Sequence, residues 1–176
     1  MDILGGEKTM NLLSLDLSTH SSGWAVMTED SLIEYGCITS ASTDLIKRIF
    51  IMSDGIEEVL NKYKIDKIIV EEVRPEGGYG VGNQKTHKAL MWLQAKIAFL
   101  IYEKFKGVRI EYIYPSSWRA SIGIKTGRGI KRTSLKQADI DFVKEKYNIN
   151  VNDDIADAIC IGFAQFNEAS NEINWG

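Results

Sequence analysis

Cysteine is scarce in this chain of 176 residues: Cys37 and Cys160 stand far apart, with no second Cys or His nearby at zinc-ligand spacing. That pattern excludes a disulfide framework and a structural zinc site. No apolar run approaches the roughly 20 residues of a membrane-spanning helix, and the start has no basic-then-apolar leader pattern. A cytoplasmic protein without a membrane partner is expected. Excess positive charge is also missing: a formal net charge of -3 and a pI near 5.5 argue against a protein that coats nucleic acid through bulk charge. What remains, 44% apolar and 26% charged residues, is the composition of one ordinary globular domain.

Strand signals come first. Leu12 to Leu17 is an apolar run of strand length, and Gly23 to Met27 and Leu32 to Ile38 follow at hairpin spacing. From Asp44 to Tyr63, apolar residues at Leu45, Ile49, Met52, Ile56, Val59 and Leu60 recur at helical spacing, interrupted only by Gly55. Lys67 to Glu72 contains Ile68-Ile69-Val70, a β-branched run suited to a buried parallel strand. A helix is expected over Lys85 to Phe105, a strand over Val108 to Tyr114, then Pro115 and a polar basic loop, and helices over Thr133 to Tyr147 and Asp154 to Phe166. The order βββαβαβαα predicts an α/β fold, a five-stranded mixed sheet with helices on both faces. The folded domain is expected over residues 10–167, with a flexible extension at 1–9 and a flexible tail at 168–176.

The acids are placed suggestively. Asp16 sits inside an otherwise apolar strand, where a carboxylate needs a cation or several donors to offset its burial. Glu71 and Glu72 end the central parallel strand, and strand alternation sends only one of them toward any shared site. Asp154 and Asp157, three residues apart, share one face at the start of the last helix, although Asp there is also an ordinary capping choice and Asp153 is an alternative to Asp154. With the fourth strand beside the first, these elements bring several carboxylates to one place. Oxygen-only ligation of that kind suits Mg²⁺ or Mn²⁺, and two such ions can activate water against a phosphodiester.

Leu15-Asp16-Leu17-Ser18-Thr19 with Gly23-Trp24-Ala25-Val26, Ile69-Val70-Glu71-Glu72-Val73, and Asp154-Ile155-Ala156-Asp157-Ala158 together resemble the RuvC family of Holliday-junction resolvases, within the ribonuclease H and integrase superfamily. The likeness runs from about Met10 to Phe166. It implies a ribonuclease H-like fold, cleavage of branched DNA, two Mg²⁺ or Mn²⁺ ions per site, and Asp16, Glu71, Asp154 and Asp157 as catalytic metal ligands. It also implies a homodimer paired through the Lys85 to Phe105 helix, whose Trp92, Leu93 and Phe99 add apolar bulk. Arg119 and Lys136 fall where the family carries functionally important lysines.

Between Pro115 and Ala138 there are six basic residues, Arg119, Lys125, Arg128, Lys131, Arg132 and Lys136, and no acid. Such a stripe in an acidic chain is expected to follow the DNA backbone through its phosphates. In one respect the sequence departs from the family: where many members place an aromatic wedge after the catalytic Glu, this chain has Arg74-Pro75-Glu76. Tyr79 is the candidate to stack on an unpaired base instead. Two other readings compete. A broad flap or fork nuclease would use the same fold, and Asp16-Leu17-Ser18-Thr19 also resembles the first phosphate motif of sugar kinases and actin-like ATPases, which need two such domains.

Overall fold

Side-chain alternation along the first strand divides the molecule into two cores, and that division places the site. The computed structural model describes residues 9–73 and 81–169. The strands β1 (Leu12–Asp16), β2 (Ser21–Met27), β3 (Leu32–Thr39), β4 (Lys67–Glu71) and β5 (Arg109–Ile113) form one sheet in the order β3-β2-β1-β4-β5. The first three strands pair antiparallel, while β4 runs parallel to both β1 and β5.

On one face, Leu13, Leu15, Ile68 and Val70 pack against α1 (Leu45–Lys62) and α2 (Val81–Lys104) through Met52, Ile56, Leu93 and Ile97. On the other, Leu12 and Ile69 pack against α3 (Pro115–Ser121), α4 (Arg132–Tyr147) and α5 (Asp153–Ala169) through Trp118, Val143, Ile159 and Ala164. Full burial of each leucine, isoleucine, valine or methionine among them contributes about 1.5–3 kcal/mol. The amphipathic α1 begins where Asp44 accepts the backbone N–H groups of Ile46 and Lys47, at 2.8 and 3.1 Å. Gly55 is placed where a Cβ would stand 2.8 Å from the Ile38 side chain, so the helix crosses β3 closely enough that a larger residue would have to displace Ile38.

The expected order of elements holds, with one correction. The segment expected as a loop after Pro115 contains the helix α3, with Pro115 at its first turn, where a missing N–H costs nothing. Trp118, which is fully buried, anchors it. The helices α2 and α5 also extend beyond the expected bounds, to Val81 and to Ala169. Residues 1–8, 74–80 and 170–176 lie outside the described residues, and with them Tyr79, Arg74-Pro75-Glu76 and most of both expected flexible ends. Among the described residues, no helix is long and apolar enough to cross a membrane.

Candidate active site

Asp16 and Glu71 come together by register. In the parallel pairing of β1 with β4, Leu15 stands beside Val70, so the next residues, Asp16 and Glu71, end the two strands side by side. Alternation separates the two glutamates: Val70 belongs to the α1/α2 face, so Glu71, like Ile69, faces α3–α5, and Glu72 does not. Two anchors hold Glu71. Its backbone carbonyl accepts from Gln94 Nε2 at 3.0 Å, and its Oε2 accepts from Trp118 Nε1 at 2.8 Å.

The N-terminus of α5 closes over these two acids. Capping falls to Asn152, whose Oδ1 accepts the Ile155 N–H at 2.9 Å, so the aspartates behind it are free for other work. Gly23, paired with Asp16 across β1 and β2, makes the approach possible: a Cβ there would overlap the backbone carbonyl of Asp154. Ser14 fastens the same helix to the sheet by donating from Oγ to the Ala158 carbonyl at 2.7 Å.

The two neighbouring aspartates of α5 divide their partners. Asp153 pairs with Lys136, whereas Asp154 accepts from Ser21 Oγ, which lies 3.1 Å from Cys37 Sγ. Asp154 therefore faces the sheet acids and Asp153 faces α4. Asp157, a turn further along, is buried, and its Oδ1 has no hydrogen-bond partner.

Electrostatics report the crowding. Burial, then the charges of Glu71 and Asp154, push the Asp16 carboxyl up to about 8, opposed by Lys136 and Arg119. Burial, then Asp16 and Asp139, push Asp157 up to about 9. Glu71 is also raised by burial, against the Trp118 hydrogen bond and the Arg119 charge. In each case burial is the largest cause, and the neighbouring basic groups and donors do not fully offset it.

The basic residues separate into two groups. Arg119 was expected in a solvent-facing stripe, but it is only 8% exposed and lies against the acids. Its guanidinium forks onto the fully buried Asp139, stands 3.7 Å from Asp157, and stacks 4.2 Å from the centre of the Trp118 ring. The part-buried Lys136 is taken by Asp153. Lys125, Arg128, Lys131 and Arg132 are exposed on the connection from α3 into α4.

Three functional residues were not singled out from sequence: Trp118, Asp139 and Ser21. Of these only Asp139 carried a local signal, since it precedes the buried Val143 by four residues and so shares its core-facing side of α4.

Among the described residues, no three acidic, His or Cys side chains stand close enough together to ligate one ion. The donor set still fits a hard divalent cation. It is all oxygen, it buries neighbouring carboxylates so that two are pushed far above their usual range, and it leaves a buried Asp157 oxygen without a partner.

The sequence pattern described as crossover junction endodeoxyribonuclease RuvC matches residues 12–164. The chain belongs to the RuvC family. It is a junction-cleaving endonuclease of DNA recombination and repair. A RuvC of Fusobacterium nucleatum is 25% identical over 172 residues, covering 95% of this chain and 85% of the relative. One of Rhizobium leguminosarum is 25% identical over 175 residues, covering 95% and 96%. The family's fold is also the fold seen here. Thermus thermophilus RuvC in complex with a Holliday junction substrate superimposes with a TM-score of 0.69 at 13% identity, over 93% of this chain and 96% of that one. The yeast mitochondrial Holliday junction resolvase does so with a TM-score of 0.59 at 17% identity, over 94% and 82%.

Proposed function

We propose that this chain cuts four-way DNA junctions by metal-assisted phosphodiester hydrolysis, with Asp16, Glu71, Asp154 and Asp157 as the ligands of two Mg²⁺ or Mn²⁺ ions. The observation that carries the reading is that β1, β4 and α5 aim these carboxylates at the same face of the sheet, where burial first, and then their neighbouring charges, lift Asp16 and Asp157 well above ordinary acids. Bound there, divalent cations supply an activated water and stabilise the charge developing on the leaving oxygen. The protein's own groups do the rest. Ser21 orients Asp154, while Arg119 brings a fixed positive charge beside Asp157, where the phosphate charge builds. Exposed Lys125, Arg128, Lys131 and Arg132 extend from that point along the DNA backbone and position it without reading sequence.

A homodimer belongs to the same proposal. On α2, Met91, Trp92, Phe99 and Tyr102 are all exposed, as is Phe50 of α1, whose ring lies under Lys96 of α2. A two-fold pair built on that apolar face would present two active sites to a two-fold symmetric junction. Cleavage of labelled four-way, three-way, flap and linear duplex substrates, with Mg²⁺ and with EDTA, tests the reading. Mg²⁺-dependent paired cuts in the four-way junction are expected. Equal cutting of flaps and forks would favour the broader nuclease, and robust cutting in EDTA would end the metal proposal.

A further inference from the structure

Trp118 aims its N–H donor at an acid of the candidate site. Its indole is fully buried, and a buried indole N–H requires an acceptor. A backbone carbonyl would satisfy it at no electrostatic consequence, yet the acceptor is Oε2 of Glu71, 2.8 Å away. The residue that supplies it lies in α3, 47 positions along the chain. Three features show that this contact is fixed. The indole is fully buried in the same core cluster as Ile69, Val143 and Ile159, the Arg119 guanidinium covers its ring at 4.2 Å, and that guanidinium is held in turn by Asp139. On the other side, Gln94 of α2 fixes the backbone of Glu71.

The glutamate is thus restrained at both ends by helices from opposite faces of the sheet. We propose that Trp118 is a positioning residue for the metal site: by holding Oε2 it sets the rotamer of Glu71 and leaves Oε1 to meet a cation. A glutamate at a strand end otherwise loses side-chain freedom only when it binds, which weakens binding. Partners that orient a ligating carboxylate change metal affinity by about 10–100-fold when removed. The inference rests on Glu71 being a metal ligand, as proposed above.

The test is Mn²⁺ titration of the DNA-free protein, followed by electron paramagnetic resonance of the free ion, on wild type, Trp118→Phe, Glu71→Ala and the double variant. Melting in EDTA and junction binding in EDTA are measured on the same samples. Trp118→Phe should raise the Mn²⁺ dissociation constant about 10–100-fold, leave junction binding unchanged, and add nothing to the loss in Glu71→Ala. Replacing Trp118 by benzothienylalanine, which fills the same volume without an N–H, should reproduce the effect even if Phe perturbs folding. Unchanged Mn²⁺ affinity in the benzothienylalanine protein, with Glu71→Ala clearly weakened, would overturn this inference alone. A loss that persists undiminished in the Glu71→Ala background would assign Trp118 a purely structural part and also overturn it. If Glu71→Ala itself binds Mn²⁺ as wild type does, the reading of the site fails, and this inference with it.

Discussion

Arg119 donates from Nη2 to Asp139 Oδ2 at 2.7 Å, joining α3 to α4 beneath the acidic site. Both residues are out of solvent, so each is the main compensation for the other. Removing one partner of a buried pair costs about 3–5 kcal/mol, because the remaining charge is left uncompensated. Arg119→Ala should therefore lose stability on that scale in urea unfolding as well as activity. Lys125→Ala and Arg128→Ala, being exposed, should stay within about 0.5 kcal/mol of wild type. Equal stability of all three variants would mean that the Arg119 pair contributes no more than a surface contact.

The same separation sets the salt dependence of DNA binding. Each phosphate neutralised by a basic side chain adds about 0.9 to the slope of log affinity against log salt. Lys125→Ala, Arg128→Ala and Lys131→Ala should each reduce that slope by up to this amount. Arg119→Ala should not, since its charge is already committed to Asp139 and Asp157 inside the protein. Fluorescence anisotropy with a labelled junction in EDTA, repeated across salt concentrations, measures the slopes. A full unit lost in Arg119→Ala with none lost in the loop variants would reverse the assignment.

Crowded carboxylates make a pH prediction. Asp16 and Asp157 titrate near 8 and 9 in the folded chain against an ordinary 3.8. Between those values the folded state holds more protons than the unfolded one, so stability falls as pH rises. The contribution is complete below about pH 4 and is lost on passing through the folded values near 8 and 9. Asp16→Asn removes the charge that causes the loss. In EDTA at pH 8.5 the variant should melt at least about 2–4 °C above wild type, the shift that about 1 kcal/mol produces at this size, and the gap should close near pH 4. Mg²⁺ or Mn²⁺ should then stabilise wild type and not the variant, which should also be inactive in cleavage. A wild-type melting temperature at or above that of the variant across the whole range would show that Asp16 carries no such strain.

How far the sequence went is clearest at particular residues. The sheet order was legible because Ile68-Ile69-Val70 reads as a parallel strand and the preceding elements as a meander. Whether Glu71 or Glu72 lies on the α5 side of the sheet was not legible from alternation alone, which separates their faces without saying which face α5 covers. Leu12, Ser14 and Ile69 settle that by packing on α5. The helix α3 was read as a loop because seven residues give too little periodicity, and a single buried tryptophan holds it in place. Arg119 was placed in the stripe for want of its partner, which lies twenty residues away on another helix.

Gly23 yields the last prediction. It pairs with Asp16 and lies directly under the first turn of α5, so any Cβ would strike the Asp154 carbonyl, which is backbone and cannot swing aside. Gly23→Ala must push the helix N-terminus outward, carrying Asp154 and Asp157 away from Asp16 and Glu71 together. The exposed residues from Lys125 to Arg132 lie on another element and are not displaced. Cleavage should fall by about 100-fold or more, the cost of a displacement near 1 Å in a catalytic constellation, while junction affinity in EDTA stays close to wild type. Ala25→Gly, two residues along the same strand and facing the same helix, serves as the control for general loosening of β2. Cleavage within a few-fold of wild type in Gly23→Ala would show that α5 need not sit this close for the acids to act together.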